Sequence, residues 1–263
     1  MIIISNISAI FRKELQSYFI SPLAYIVTAV FWFLLGSLFV DILQRTIESI
    51  ATYESLGVSL PPIDVPYEFM GQFFAVLGLL VLYILPILSM GLYAEERKRG
   101  TLELLATSPI TNWIVATGKL LGAIAFFSIA ISPMIIYEVI VFSAATPTAV
   151  PLQVPLLAHV GLLLLAGAVL SLGMFISSLT DSSILAAILT FALVLFLWLI
   201  DLLADKLNGT IGEVLSHLSL LKHYNNLVQG ILDPSSLVLF ASYILLGLFL
   251  TAQSIEIIRF SSR

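Results

Sequence analysis

The sequence predicts an all-α polytopic membrane protein with six transmembrane helices, on the basis of its composition and its apolar segments. Hydrophobic residues make up 60% of the 263 residues and charged residues only 10%, whereas soluble domains average roughly 25% charged residues. Six apolar segments are each long enough to cross a bilayer as a helix, which takes about 20 residues. Because lipid offers the backbone no hydrogen bonds, such segments must be helical. Residues 1–263 are therefore predicted to form a single transmembrane domain.

The first predicted element is an amphipathic helix over residues 5–20. Its apolar side chains recur every three or four residues, and polar side chains occupy the remaining positions. This pattern is typical of a helix that lies in the membrane interface, with a helix on a water-exposed surface as the alternative. The apolar residues are Ile7, Ile10, Phe11, Leu15, Tyr18 and Phe19, and the polar residues are Arg12, Lys13, Glu14 and Gln16. Ser21-Pro22 is expected to end the helix, since proline has no backbone N–H.

Six spans are predicted to follow, with short polar or proline-containing connections between them. Pro86 predicts a kink in the second span, and Ser132-Pro133 predicts a kink or tilt in the third. Segments 44–66 and 143–155 are predicted to be external loops. Segment 204–235 contains apolar runs too short to cross the membrane, which predicts re-entrant or interfacial helices. The predicted spans are residues 23–43, 67–93, 113–142, 156–179, 184–203 and 237–258.

Lysine and arginine residues predict the orientation of the chain in the membrane. Six spans place both termini on one side, and most basic residues fall on that side, where the positive-inside rule places the cytoplasm. Both termini are therefore predicted to be cytoplasmic, in a multi-pass protein of a bacterial inner membrane. The basic residues on the predicted inner side are Arg12, Lys13, Arg97, Lys98, Arg99, Lys119, Arg259 and Arg263, against Arg45, Lys206 and Lys222 outside.

The longest polar stretch, residues 94–110, lies between the second and third predicted spans. Charged residues come first, a short helix with apolar side chains on one face follows, and Ser108-Pro109 ends it. A solvated, positively charged loop is the alternative, but such a loop has no reason to display three leucines. The segment is therefore predicted to be a surface that another protein pushes on. Its candidate residues are Glu95, Glu96, Arg97, Arg99, Gly100, Thr101, Leu102, Glu103, Leu104, Leu105, Ser108 and Pro109.

The sequence predicts neither an active site nor a metal site in this chain. It contains no phosphate-binding glycine loop and no nucleophile motif, and the absence of cysteine excludes thiolate chemistry. The three histidines His159, His217 and His223 have no partners at metal-ligand spacing and are expected to be interfacial polar residues. A net charge of −5 argues against nucleic acid as a partner. Energy for any work must therefore come from a partner or from an ion gradient.

A few residues inside the apolar segments bear on the choice between these energy sources. An ion-driven carrier needs ionisable groups at mid-membrane, and the candidates Asp41, Glu138 and Asp201 are all predicted near the outer ends of their spans. Lys119 is expected to extend its charged end toward the cytoplasm. The Gly-x-x-x-Gly pair formed by Gly118 and Gly122 predicts a close helix contact, either within the chain or between two copies.

Two blocks of the sequence resemble a known family. The block EERKRGTLELLATSPI, followed by Gly118-Lys119-Leu120, resembles the cytoplasmic coupling segment of ABC-2 type permeases. The block RKELQSYFISPLAYIVTAVFWFLLGSLF, residues 12–39, resembles the N-terminal elbow helix and first span of the gliding-motility-associated, GldF-like permeases. The copper-enzyme-maturation permeases are similar as well. The resemblance extends over essentially the whole chain.

The resemblance implies a fold, partners and roles for particular residues. Two permease chains, here as a homodimer, would pair around a central pathway, with two cytoplasmic ATP-binding subunits beneath them that bind ATP and Mg²⁺. Segment 94–110 would be the coupling helix, and the elbow helix would include Phe11, Arg12, Lys13, Glu14, Leu15 and Tyr18. A periplasmic or membrane accessory subunit would be compatible with this arrangement. The family's cargoes are too diverse to assign substrate residues.

Three functional hypotheses follow. The first is the permease subunit of an ATP-driven exporter, which carries no catalytic residue of its own. The second is an ion-coupled secondary transporter that depends on Glu138 or Asp201. The third is a scaffold or mechanotransmission protein that uses the same ATPase partner and moves no cargo.

Overall fold

The computed structural model describes residues 2–56, 65–102, 110–144, 153–204, 206–207 and 209–261. These residues form helices joined by short connections and contain no strand. The helices are α1 (Ile2–Ile20), α2 (Pro22–Ser55), α3 (Val65–Ser89), α4 (Gly91–Lys98), α5 (Asn112–Ile131), α6 (Met134–Ala144), α7 (Gln153–Leu179), α8 (Ser183–Ala204), α9 (Thr210–Leu218), α10 (Leu220–Val228) and α11 (Pro234–Ser261).

Within the described residues, six helical segments are long and apolar enough to cross a membrane. Two of these spans each consist of two consecutive helices: the second span includes α3 and α4, and the third includes α5 and α6. The predicted fold class, an all-α membrane protein with six transmembrane helices, is confirmed. The spans are Pro22–Tyr53, Tyr67–Lys98, Asn112–Ser143, Gln153–Leu179, Ser183–Ile200 and Pro234–Ile257.

Helix α7 is the centre of the bundle. In its apolar stretch 78% of the residues are buried, against 22% in the first span and 17% in the fifth. Small residues explain this position, since they let neighbouring helices approach closely in lipid. A Cβ on Gly173 would lie 2.6 Å from Ser89 Cβ, and a Cβ on Gly247 of α11 would lie 2.5 Å from the backbone of Ser171. Helices α3 and α11 therefore pack directly on α7.

The structure changes one predicted connection and shows the break that was expected at Ser132-Pro133. Residues 44–55 were expected to be loop, but α2 continues to Ser55, because no glycine or proline interrupts the chain there and Arg45 pairs with Asp41 one turn earlier. The third span breaks into α5 and α6 at Ser132-Pro133, where proline cannot donate the next helical hydrogen bond. Pro86, in contrast, lies inside α3, which continues to Ser89.

The segment before the last span forms two short helices, α9 and α10. Helix α10 buries one apolar face against α3 and α7. The Tyr224 hydroxyl donates a 2.7 Å hydrogen bond to the Phe74 carbonyl, and the absence of a side chain at Gly78 and Gly161 leaves room for the Tyr224 ring. His223 of the same helix is also buried, and its Nδ1 lies 2.8 Å from Ser236 Oγ. The expectation of an interfacial His223 is therefore wrong.

Candidate coupling site

The polar segment after the second span begins as a continuation of that span. Helix α3 ends at Ser89, and α4 starts at Gly91 after a break at Met90. Ser177 of α7 closes this break: its hydroxyl accepts hydrogen bonds from the Tyr93 and Ala94 amides, both at 3.0 Å, and donates one of 2.7 Å to the Met90 carbonyl. Backbone groups that a helix break would otherwise leave without partners are thereby bonded to the central helix.

A buried ion cluster joins three helices at the end of the bundle where α2 begins. Lys119 Nζ of α5 lies 3.2 Å from Glu14 Oε2 of α1 and 3.0 Å from Glu96 Oε1 of α4. The same ammonium donates a 2.7 Å hydrogen bond to the Leu92 carbonyl and lies 4.9 Å from the centroid of the Tyr93 ring. We call Lys119, Glu14 and Glu96 the Lys119 cluster. It connects the predicted elbow helix, the polar segment and the third span.

The Lys119 cluster satisfies the requirements of a buried charge. A lysine ammonium has three donor hydrogens, and here three oxygen atoms, from Glu14, Glu96 and Leu92, surround it. The Lys119 side chain is only 4% exposed, so removal from water is costly unless the charge is paired. Lys13 adds a second cation, 3.2 Å from Glu96 Oε1, and is largely exposed. Two carboxylates and two ammonium groups therefore balance in charge.

The positions of Glu14 and Lys119 correct two expectations. Glu14 was assigned to the polar face of the first helix, and Lys119 was expected to extend toward water, but both are buried. The reason is the close packing of α1 on α5. A Cβ on Gly118 would lie 2.8 Å from Ile10 Cβ, and one on Gly122 would lie 2.7 Å from Glu14 Cβ. The Gly-x-x-x-Gly pair therefore serves a contact within the chain.

The remaining residues of the predicted elbow helix are either partly buried against other helices or exposed. Phe11, Leu15 and Tyr18 are half-buried, while Arg12 and Lys13 are exposed. The Tyr18 ring stacks on Phe126 of α5, with 4.7 Å between ring centroids. Its hydroxyl donates a 2.7 Å hydrogen bond to the Leu88 carbonyl of α3, so α1 is bonded to the second span as well as to the third.

Further hydrogen bonds attach both ends of the polar segment to α7 and α11. Arg97 Nη1 donates to the Ser178 carbonyl at 2.8 Å, and Ser178 Oγ donates to Ser254 Oγ at 2.9 Å. After the segment, Asn112 Nδ2 donates to Glu256 Oε2 at 2.6 Å. Sequence reasoning missed these partners. The signal that could have found them is the cluster of polar residues near the ends of otherwise apolar spans.

Residues 95–101, at the beginning of the segment, are largely exposed. Arg99 and Glu95 form an exposed ion pair of 3.4 Å one turn apart, and Thr101 Oγ1 donates to the Glu96 carbonyl at 3.1 Å. Gly100 has a φ of +68°, the left-handed conformation in which helices commonly end at glycine. Leu102 is buried. The other predicted coupling residues, Glu103, Leu104, Leu105, Ser108 and Pro109, lie outside the described residues.

The environment of Glu14 predicts a specific pH dependence. Burial raises the pKa of the Glu14 carboxyl, and the neighbouring Lys119 only partly offsets this. Because the folded-state pKa lies above its ordinary value, the contribution of Glu14 to stability is fully present below about pH 4 and is lost as the pH rises through the folded-state pKa. A Glu14→Gln variant should therefore gain in stability relative to the wild type as the pH rises. Thermal unfolding of both proteins from pH 4.5 to pH 8 checks this, and a constant difference would contradict it.

Comparison with known proteins identifies the family to which the sequence belongs. The sequence profile described as "ABC-2 family transporter protein" matches residues 8–255, a range that includes most of α1, the Lys119 cluster and all six spans except the last two residues of the sixth. The comparison with curated proteins finds no match. Members of the matched family are typically non-catalytic membrane subunits that work with a cytoplasmic ATP-binding subunit. Since the match covers almost the whole chain, this protein belongs to the ABC-2 family of transporter proteins and is a multi-pass permease.

Proposed function

We propose that this chain is the membrane subunit of an ATP-driven exporter or force-transmitting complex, and that a separate ATPase subunit docks on segment 94–110. The observation that carries the proposal is the Lys119 cluster. Through Glu96, this segment is paired with Lys13 of α1 at 3.2 Å and with the buried Lys119 of α5 at 3.0 Å. A displacement of the segment therefore cannot leave these two helices in place without breaking a buried ion pair.

The other contacts of the segment support the same role. Arg97 bonds to α7 at the start of the segment, and Asn112 bonds to α11 at its end. Because α7 is the most buried span, a push on the segment would reach the centre of the bundle through short, direct hydrogen bonds. An idle surface loop would not need bonds to α1, α5 and α7.

The partners and the location of the complex are part of the proposal. Two copies of this chain form a homodimer with two ATP-binding subunits, which bind ATP and Mg²⁺, and an accessory subunit is compatible with this assembly. Both termini face the cytoplasm of a bacterium, because the basic residues cluster at that end of the bundle. The N-terminal block supports membership of the gliding-motility-associated group.

The first test is affinity purification of this chain from native membranes in mild detergent, with mass spectrometry and mass photometry of the eluate. We expect an ATP-binding subunit at equal stoichiometry, in a particle that contains two copies of each chain. Recovery of this chain alone, in a stable particle without an ATPase, would contradict the proposed function.

The second test separates docking from stability by means of two matched arginine variants. Arg99 and Arg45 each form an exposed ion pair with an acidic residue one turn earlier, and such pairs contribute only about 0.3–0.5 kcal/mol. Arg99→Ala and Arg45→Ala should therefore unfold at nearly the same temperature as the wild type. Only Arg99→Ala should reduce the amount of ATPase that co-purifies. Arg45 lies in the second half of α2, far from the end of the bundle that carries segment 94–110.

Either of two results would remove segment 94–110 from the proposed docking site. One is unchanged ATPase recovery and hydrolysis in both Arg99→Ala and a Leu104→Asp, Leu105→Asp double variant. The other is an equal loss of ATPase in Arg45→Ala, which would indicate a general effect of surface charge.

A further inference from the structure

A second pair of titratable residues lies at the opposite end of the bundle from the Lys119 cluster. Glu138 of α6 and His159 of α7 face each other, with 3.4 Å between Glu138 Oε1 and His159 Nε2. The Glu138 side chain is only 9% exposed. Among the described residues, neither Glu138 Oε1 nor His159 Nε2 has a hydrogen-bond partner apart from this contact. The two atoms therefore depend on each other.

The other ring nitrogen of His159, Nδ1, determines whether Nε2 is a hydrogen-bond donor or acceptor. Nδ1 lies 2.9 Å from the Pro155 carbonyl oxygen. A carbonyl can only accept, so Nδ1 carries a hydrogen. In a neutral imidazole Nε2 is then an acceptor without hydrogen. An ionised Glu138 would place a second acceptor opposite it, which is unfavourable for two buried polar atoms. One proton between Oε1 and Nε2 turns this repulsion into a hydrogen bond.

The described ring contact of the pair is with an aromatic side chain. Phe74 of α3 covers the imidazole edge-on, with 5.3 Å between ring centroids. On α10, the Tyr224 hydroxyl is bonded to the Phe74 carbonyl. On α6 itself, Tyr137 stacks on Phe39 of α2. Within the described part of the chain, no charged side chain other than His159 pairs with Glu138.

The pair also lies where α6 and α7 have few other contacts. Among the described residues, helices α6 and α7 have little other contact with each other. A hydrogen bond between Glu138 and His159 is therefore one of the few links that hold the end of the third span to the central helix.

We propose that Glu138 and His159 form a proton-binding site, and that the bound proton clasps α6 to α7. Loss of the proton leaves a carboxylate opposite an imidazole lone pair, and the two helices separate at this end. Stability should therefore fall as the pH rises through the range in which the pair releases its proton. This inference does not depend on an ATPase partner.

Spin labels can test the clasp, because the chain contains no cysteine. Ile140→Cys on α6 and Val160→Cys on α7 introduce two labels at exposed positions. The distance between the labels is measured in detergent or nanodiscs at pH 6 and pH 9. We expect the distance distribution to shift to longer values at pH 9. We also expect the unfolding temperature to fall by roughly 2–4 °C, as for the loss of about one hydrogen bond in a chain of this size.

Glu138→Gln is the decisive variant, because its amide can donate to Nε2 without a titratable proton. It should keep the short distance at both pH values. Asp41→Asn is the matched control, since Asp41 is an exposed carboxylate that pairs only with Arg45, and it should respond to pH as the wild type does. His159→Gln provides a second variant that should also lose the response. A distance that does not depend on pH, or an unaltered response in Glu138→Gln, would overturn the proposal.

Discussion

Replacement of Lys119 by methionine is expected to destabilise the protein by about 3–5 kcal/mol, the usual cost of removing one partner from a buried ion pair. Methionine fills a similar volume, so the loss is electrostatic. Glu14 and Glu96, whose side chains are 11% and 18% exposed, would remain opposite each other without the ammonium between them. Thermal unfolding of the purified protein should show a decrease of roughly 10 °C in the unfolding temperature.

Two further variants distinguish this electrostatic cause from a packing defect. Lys13→Met removes a cation from the same cluster, but Lys13 is 71% exposed, so its loss should cost no more than about 1 kcal/mol. A triple variant that combines Lys119→Met with Glu14→Gln and Glu96→Gln should recover most of the lost stability, because no buried charge is left unpaired. If the triple variant were as unstable as Lys119→Met alone, the ion cluster would not be the cause.

The second large effect is expected from Gly122→Ala, where one methyl group must displace a helix. A Cβ at this position would lie 2.7 Å from Glu14 Cβ and 3.3 Å from the Leu15 backbone nitrogen. Neither atom is the flexible end of a side chain, so α1 has to move away from α5. Overpacking of this kind costs roughly 1–3 kcal/mol. The displacement should also weaken the pair between Glu14 and Lys119.

Gly71→Ala is the matched control for Gly122→Ala. Gly71 also lies within a helix, α3, but a Cβ there would have no neighbour within 4 Å. Alanine is favoured over glycine in a helix by roughly 0.5–1 kcal/mol, so Gly71→Ala should leave the unfolding temperature unchanged or raise it. Equal unfolding temperatures for the two variants would show that α1 does not pack tightly on α5.

Several features of the chain were predictable from local sequence. The apolar segments predicted six helices that can cross a membrane, because their length and their lack of charge depend only on neighbouring residues. The break at Ser132-Pro133 was predictable for the same reason, since proline lacks the N–H that a continuous helix requires. The polar segment 94–110 also stood out without a structure, and its proposed role in coupling remains a prediction.

The partners of individual polar residues could not be predicted in this way. By helical periodicity Glu14 belongs to a polar face, and in isolation Lys119 would extend toward water. The two residues are 105 positions apart in the chain, and they meet only because Gly118 and Gly122 let α1 approach α5. The same applies to Glu138, which was predicted near water and is instead buried against His159.

The sequence by itself determined the membrane environment, the number of spans and the place of the polar segment, since each depends on hydrophobicity and length along the chain. Only the tertiary structure decided which charges are buried and with which partners they pair. The physical reason is that the cost of a charge in a low-dielectric interior depends on atoms within a few ångströms of it. In this protein those atoms come from helices that are distant in sequence.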